Sequence, residues 1–168
     1  MARAIGDTIV IATHNAGKLK EMSELLAPYG LQCKSAGEFG LTEPKEDGTI
    51  YAENAAIKAL YAAKATGLPA LADDSGLAVD LLDGAPGLFT ADWAGNPRDF
   101  AAAMNRVKLE LEVRDHVAAG AKAHFVSALV LAWPDGETLI AEGRIHGSLV
   151  FPPRGAAGFG YDPIFLPE

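Results

Sequence analysis

The chain has 168 residues, of which 49% are hydrophobic, so it is long and apolar enough to bury a sizeable core, and wholesale disorder is excluded. Its formal net charge of −8 argues against a broad nucleic-acid surface, although a few local cations suffice for a small anionic ligand. Cys33 is the only cysteine, so no intramolecular disulfide can form, and the longest apolar run, residues 125–133, is too short to span a bilayer.

The first part of the chain predicts a strand, a helix, a strand and a loop. Residues 8–12 are β-branched and apolar on both faces, which is typical of a central strand. Asn15 is the predicted N-cap of the helix that follows, and Gly30 is its predicted end. Residues 31–34 predict a short strand, and residues 35–48 predict a polar loop.

The middle part begins with an Ala-rich helix, predicted over residues 49–66. A short buried strand over residues 68–72 follows and ends in two carboxylates. Glycines and prolines make residues 83–97 mostly loop. A third helix fits residues 98–118.

The last part predicts two long strands, residues 123–133 and 137–147, joined by a hairpin turn at residues 134–136. A glycine-rich loop over residues 152–163 leads into another strand at residues 164–166. Strands that alternate with helices, followed by an antiparallel hairpin, indicate an α/β fold with a mixed sheet.

The most informative segment is residues 71–80 (LADDSGLAVD), where Asp73 and Asp74 follow a buried strand. Adjacent carboxylates repel each other and resist dehydration, and a divalent cation is the commonest compensation. The alternative is a plain turn, because Asp, Ser and Gly all favour turns. Either acid could serve as a general base, and the residues alone do not decide between them.

A second candidate site is residues 13–18 (THNAGK), between the first strand and the first helix. A helix N-terminus with Thr13, Asn15 and Lys18 beside it suits phosphate. The segment is not a P-loop, because Ala12 stands where that motif has its first glycine. The alternative is that Asn15 only caps the helix, Lys18 is solvated and His14 is a loop residue.

Three further groups are weaker when taken alone. Asn54 and Lys58, four residues apart beside Glu53, share one face of the second helix. The acids of residues 43–47 form either a surface cluster or part of a metal site. In residues 158–163 (GFGYDP), Phe159 or Tyr161 offers a ring for a planar base, while a tight turn explains the glycines equally well.

Taken together, five strings in order resemble the inosine/xanthosine triphosphate pyrophosphatases over nearly the whole chain. The strings are IATHNAGK at residues 11–18, YAENAAIKA at 51–59, ADDSGLAVD at 72–80, GAPG at 84–87 and GFGYDPIF at 158–165.

The resemblance implies a long mixed β-sheet flanked by helices, with two lobes around a central cleft, in a single domain over residues 1–168. It implies a homodimer. It also implies Mg²⁺-dependent hydrolysis of dITP, ITP and XTP to the monophosphate and pyrophosphate. The single cysteine fits a reducing cytoplasm, and the net charge and the short apolar runs lead us to expect neither nucleic-acid nor membrane partners.

The resemblance also assigns roles to residues. Asp74 would be the proton acceptor and, with Glu46, a magnesium ligand. The residues implied to bind the nucleotide are Thr13, His14, Asn15, Ala16, Gly17, Lys18, Asn54, Lys58, Ser75, Phe159, Gly160, Tyr161 and Asp162. This division fits the chemistry, because a triphosphate needs cations and N–H groups on its oxygens and one carboxylate to deprotonate water. A hydrogen-bond donor aimed at the purine 6-keto group would reject adenine.

Three features depart from the family pattern. The chain stops at Glu168, before the family's segment with a Ser-His-Arg triplet, so we expect weak binding and slow or no turnover. Asp92 stands where relatives usually carry a basic residue, and Lys45 occupies part of a paired-acid stretch. One alternative is therefore a catalytically impaired nucleotide-binding or dimeric scaffold. A second is a pyrophosphatase for dUTP or modified pyrimidines, because the purine preference comes only from the resemblance.

Overall fold

The computed structural model describes residues 2–168. Within that part of the chain, the α-helices are α1 (Ala16–Leu26), α2 (Tyr51–Thr66), α3 (Thr90–Ala94) and α4 (Phe100–Val113). The strands are β1 (Thr8–Ile11), β2 (Gln32–Ser35), β3 (Ala70–Val79), β4 (Lys122–Ala132), β5 (Thr138–Leu149) and β6 (Phe165–Pro167). None of the helices in these residues combines the length and apolarity needed to cross a membrane.

The strands form one mixed sheet in the order β2-β1-β3-β4-β5-β6. Strand β1 pairs in parallel with β2 and with β3, where Val10 lies opposite Ala70. Strand β6 pairs antiparallel with β5, and Leu149 lies opposite Phe165. The predicted α/β fold with a mixed sheet is therefore confirmed.

The chain divides into two compact units, of which the first comprises the residues up to Asp74 and Ala128–Glu142. In this unit β1 lies between two helical layers. Ile9 and Ile11 pack with Met22 of α1, while Val10 on the opposite face packs with alanines of α2 such as Ala55. Alternate residues of a strand face opposite sides of the sheet, so the apolar character of β1 on both faces follows from its two neighbours.

The second unit comprises Ser75–Ser127 and Gly143–Glu168 and has its own core. Leu77 and Val79 of β3 pack there with Val107 and Leu111 of α4 and with Ile164, and all five are fully buried. The two units thus each contain a hydrophobic cluster large enough to hold their elements together.

The main correction concerns β3. The strand does not end at the two acids but continues through Asp73 and Asp74 to Val79. The turn tendency of Asp, Ser and Gly is overridden because Leu77 and Val79 have apolar partners in the core. The simple-turn interpretation of this segment is therefore wrong.

Smaller differences lie at the ends of elements. The polar loop after β2 contains a 3₁₀ turn, Ala36–Phe39, and the loop over residues 83–97 contains the 3₁₀ turn Gly87–Phe89 and α3. Helix α4 is shorter than the predicted range of residues 98–118. Asp99 caps its start, and Asp115, just after its end, has a left-handed backbone conformation.

Candidate active site

The loop between β1 and α1 places a helix start at the end of a buried strand. The Asn15 side chain accepts a hydrogen bond from the Lys18 backbone N–H at 3.1 Å, which confirms the predicted N-cap. The Thr13 hydroxyl oxygen accepts one from the Asn15 N–H, also at 3.1 Å. These two side chains shape the loop, and the outward N–H groups of the first turn favour an anion there.

The other residues of this loop are more accessible. His14 and Ala16 are exposed, and Gly17 is half-buried. His14 lines a small pocket of about 10 Å³ together with Lys58 and Tyr61. His14 therefore lies near Lys58, one of the residues predicted to bind the nucleotide, and its side chain remains exposed.

Lys18 links α1 to the acidic part of β3. Its Nζ lies 2.9 Å from Oδ2 of Asp73. Asp73 is only 5% exposed, and its other oxygen, Oδ1, is buried without a hydrogen-bond partner. A buried carboxylate needs a counter-charge because burial disfavours its ionised form. Asp73 is therefore the charge partner of Lys18, and its Oδ1 is able to accept a hydrogen bond or contact a cation.

Asp74, the next residue on β3, has a different environment. Its Oδ2 accepts a hydrogen bond from Nδ2 of Asn54 at 3.2 Å. Burial raises the pKa of this carboxyl, with opposition from the charge of Lys58 and reinforcement from that of Glu46. A carboxyl with a raised pKa is a stronger proton acceptor than an ordinary aspartate. Of the two acids, Asp74 is therefore the one suited to act as a general base.

The loop before α2 brings Glu46 to the same group. Oε1 of Glu46 lies 2.9 Å from Nζ of Lys58, and the Gly48 N–H donates to Oδ1 of Asn54 at 2.8 Å. Glu53 does not join them, since its Oε2 accepts from the Thr49 N–H at 2.6 Å and so serves the start of α2. Those bonds to Thr49 lower the pKa of Glu53.

The charge balance of this group is acidic, with the three carboxylates of Asp73, Asp74 and Glu46 against the ammonium groups of Lys18 and Lys58. Hard divalent cations such as Mg²⁺ prefer oxygen ligands of this kind. Within residues 2–168, no cluster of three or more His, Cys, Asp or Glu residues has the arrangement to hold a metal by itself. Mg²⁺ is commonly held by one or two carboxylates together with substrate phosphates, so the donor set fits a cation that arrives with a nucleotide.

The remaining predicted nucleotide-binding residues belong to the second unit. Ser75 and Phe159 are half-buried. The Asp162 carboxylate accepts a hydrogen bond from the Phe159 N–H at 3.0 Å and closes the loop. A Cβ at Gly158 would collide with that carboxylate, so this glycine is required by space. Gly160 has φ of +62°, a conformation that favours glycine.

Tyr161 is a core residue in this unit. It is 2% exposed, its hydroxyl donates to the Thr90 carbonyl at 2.7 Å, and its ring packs edge-to-face on Phe100. Burial raises the pKa of this phenol. Of the two rings offered by the sequence for a planar base, Phe159 is the accessible one.

Two features departing from the family pattern lie at the surface. Asp92 is exposed on α3, and Lys45 is exposed in the loop before α2.

Gly48, which contacts Asn54, is not among the residues predicted from the sequence. A glycine shortly before a helix with a polar first turn is the signal that points to such a close approach.

The group combines two adjacent acids, two lysines and the start of a helix in an α/β protein. This combination is typical of proteins that bind phosphate groups together with a divalent cation. Comparison with known proteins is more specific. The Ham1 family profile matches residues 9–168. The dITP/XTP pyrophosphatase of Rhodopseudomonas palustris is 61% identical over 169 residues, covering 100% of this chain and 80% of that protein.

Solved structures agree with this match. A Ham1 protein from Coxiella burnetii superposes with a TM-score of 0.83 at 41% identity, covering 94% of this chain and 80% of that one. The nucleoside-triphosphatase / dITP/XTP pyrophosphatase of Mycobacterium abscessus gives a TM-score of 0.73 at 40% identity, with 95% and 81% covered. The chain belongs to the Ham1 family, which confirms the resemblance seen in its motifs.

Proposed function

We propose that this chain hydrolyses non-standard purine nucleoside triphosphates, namely dITP, ITP and XTP, to the monophosphate and pyrophosphate. The observation that carries the proposal is the environment of Asp74. This half-buried carboxylate with a raised pKa lies near two lysines and a second acid. Relatives that match along the whole chain bear the name dITP/XTP pyrophosphatase.

In the proposed reaction, Asp74 accepts a proton from a water molecule that attacks the α-phosphorus. The bond between the water oxygen and phosphorus forms as the bond from phosphorus to the bridging oxygen breaks, and pyrophosphate leaves. No covalent enzyme intermediate is needed. Lys18 and Lys58, with the loop of Thr13 and Asn15, bind the phosphate oxygens, because ammonium groups and helix N–H groups complement their charge.

We also propose Mg²⁺ as the cofactor. Asp74 and Glu46 would hold it, and the partnerless Oδ1 of the neighbouring Asp73 is a further oxygen in this group. The ion would neutralise phosphate charge and polarise the phosphoryl group. Since the site itself carries more carboxylates than ammonium groups, a triphosphate without a cation would be poorly accommodated.

Base recognition is assigned to Ser75 and to the loop of Phe159, Gly160 and Asp162. The accessible Phe159 ring supports stacking on a purine, and such stacking contributes about 1–3 kcal/mol per base. A donor to the 6-keto group would separate hypoxanthine and xanthine from adenine. The cytoplasmic homodimer is part of the same proposal and rests on family membership. Sedimentation velocity at micromolar concentration tests the dimer.

The test is a substrate panel with Mg²⁺, comprising dITP, XTP, dATP, dGTP and dUTP, with pyrophosphate and orthophosphate measured separately. The proposal predicts pyrophosphate release that is selective for dITP and XTP. Selective release from dUTP would replace the purine assignment. Binding of dITP without pyrophosphate release would favour the scaffold alternative, which nothing in the described residues supports.

A further inference from the structure

Asn54 has both ends of its side-chain amide engaged inside the candidate site. It is 5% exposed. Its Oδ1 accepts from the Gly48 N–H at 2.8 Å, and its Nδ2 donates to Oδ2 of Asp74 at 3.2 Å. The opposite orientation of the amide would set oxygen against carboxylate and N–H against N–H. The two neighbours therefore fix one orientation of Asn54.

Gly48 is matched to this amide by space. A Cβ at residue 48 would lie 2.6 Å from Oδ1 of Asn54 and 2.7 Å from Cβ of Glu53. Any side chain there would push the loop away from α2. Only glycine lets the backbone N–H approach closely enough to donate at 2.8 Å.

The consequence reaches the second carboxylate. Glu46 lies two residues before Gly48 and forms its ion pair with Lys58, on the next turn of α2 after Asn54. The loop that carries Glu46 thus contacts α2 through the Glu46–Lys58 ion pair and through the Gly48–Asn54 hydrogen bond. Asn54 also donates a hydrogen bond to Asp74.

We propose that Asn54 is a positioning residue that acts through Asp74 and the Glu46 loop rather than on the phosphates. Its N–H₂ group fixes one oxygen of Asp74 without adding charge, and leaves the other oxygen for the attacking water. Its oxygen holds Gly48 and thereby sets the distance between the two carboxylates. The inference rests on the proposed pyrophosphatase function and gives Asn54 a role that differs from the direct nucleotide binding implied by the resemblance.

The first test separates kcat from KM for dITP. Loss of an outer hydrogen bond of this kind commonly costs about 10–100-fold in activity. Asn54→Ala should lower kcat by that range and leave KM within about threefold, because no phosphate contact is lost. A raised KM with unchanged kcat would mean that Asn54 binds phosphate, and unchanged values of both would also overturn the proposal.

Two more variants separate the halves of the contact. Asn54→Asp keeps an acceptor for Gly48 but sets a second carboxylate against Asp74, so kcat should fall as far as in Asn54→Ala or further. It also carries the test if Asn54→Ala does not fold. Gly48→Ala should lower kcat as well, whereas Gly37→Ala, where the nearest atom would lie 3.8 Å from the added Cβ, is the matched control and should behave as wild type. Equal losses in the two glycine variants would contradict the steric argument.

A readout independent of activity is hydrogen exchange at the Gly48 amide. The N–H should be protected in the wild type and in Asn54→Asp, and its protection should fall by about tenfold or more in Asn54→Ala. Unchanged protection in Asn54→Ala would overturn the link between the loop and Asn54. If the wild type releases no pyrophosphate from any nucleotide, the proposed function fails, and this exchange measurement still decides whether Asn54 positions the loop.

Discussion

The ammonium group of Lys18 and the carboxylate of Asp73 form an ion pair at 2.9 Å in which Asp73 is 6% and Lys18 21% exposed at the side chain. The pair joins the first turn of α1 to the middle of β3. It explains how a strand continues through two adjacent acids, because the more buried acid has its own counter-charge. It also distinguishes the two acids by their contacts, since Asp73 pairs with Lys18 and Asp74 accepts a hydrogen bond from Asn54.

Removing one partner of this pair should destabilise the protein. Lys18→Met leaves a buried carboxylate unpaired, and the free energy of unfolding measured with urea should fall by about 3 kcal/mol. Lys20→Met is the matched control, because the exposed pair of Lys20 with Glu24 spans 3.9 Å and its loss should cost under about 1 kcal/mol. Adding Asp73→Asn to Lys18→Met should recover much of the loss. Equal costs for the two lysine variants would show that the Lys18 pair is not a buried one in solution.

Asp74→Asn should lower the activity of the protein and raise its stability at pH 7. Because burial raises the folded-state pKa of Asp74, the folded protein binds this proton more tightly than the unfolded chain does. The stability contributed by the protonated group is fully present below the unfolded pKa, near 3.9, and is lost as pH rises through the folded pKa. The variant should therefore have a higher Tm than the wild type at pH 7 and no advantage near pH 3.5.

Thermal unfolding of both proteins across that pH range measures this difference. Asp74→Glu is a useful comparison, since it retains the charge and should retain the pH dependence. A lower Tm for Asp74→Asn than for the wild type at pH 7 would mean that the carboxylate is stabilised by its neighbours rather than destabilised by burial.

Tyr161→Phe should affect stability and leave nucleotide selectivity unchanged. The substitution removes the hydrogen bond from the phenol to the Thr90 carbonyl in a buried part of the second unit. The expected cost is about 1–2 kcal/mol in chemical unfolding. Tyr29→Phe is the control, since Tyr29 is 78% exposed. A change in the ratio of kcat/KM for dITP and dATP in Tyr161→Phe would instead give the hydroxyl a part in base recognition.

Phe159→Ala should weaken nucleotide binding and leave stability nearly unchanged. Loss of a stacking partner should raise KM for dITP by roughly 10-fold, because base stacking on an aromatic ring is worth about 1–3 kcal/mol. The Tm should change little, since Phe159 is not a core residue. Phe39→Ala, at a partly exposed aromatic of the first unit, should leave KM unchanged. A wild-type KM in Phe159→Ala would remove the ring from the nucleotide site.

Local signals predicted those parts of the fold that depend on neighbouring residues. The Asn15 cap and the turn after Trp133 are confirmed because each is set within a few positions of the chain. The predicted end of the first helix at Gly30 is displaced, since α1 ends at Leu26 and Gly30 ends the 3₁₀ turn Ala27–Tyr29 that follows it. The extent of β3 was not predictable in this way. Its continuation depends on Lys18, 55 positions before Asp73 along the chain, and on apolar partners in α4.

The candidate site was predictable as a set of residues, and its internal connections were not. The motifs named Asp74, Asn54 and Lys58, but the pairing of Lys58 with Glu46 and the double engagement of Asn54 arise only when a loop folds onto α2. The same holds for Arg3, which pairs with Asp135 and Glu137 at the turn between β4 and β5 and lies over the Trp133 ring. Such contacts carry no periodic signal in the sequence.

The most direct test of the account is hydrolysis of dITP in ¹⁸O-labelled water by the wild type and by Asp74→Asn, with Asp73→Asn alongside. Attack at the α-phosphorus should place the label in dIMP and none in pyrophosphate, with activity lost in Asp74→Asn and retained to a larger degree in Asp73→Asn. Label in pyrophosphate would contradict attack at the α-phosphorus. A near-wild-type rate in Asp74→Asn would contradict the assignment of Asp74 as the proton acceptor.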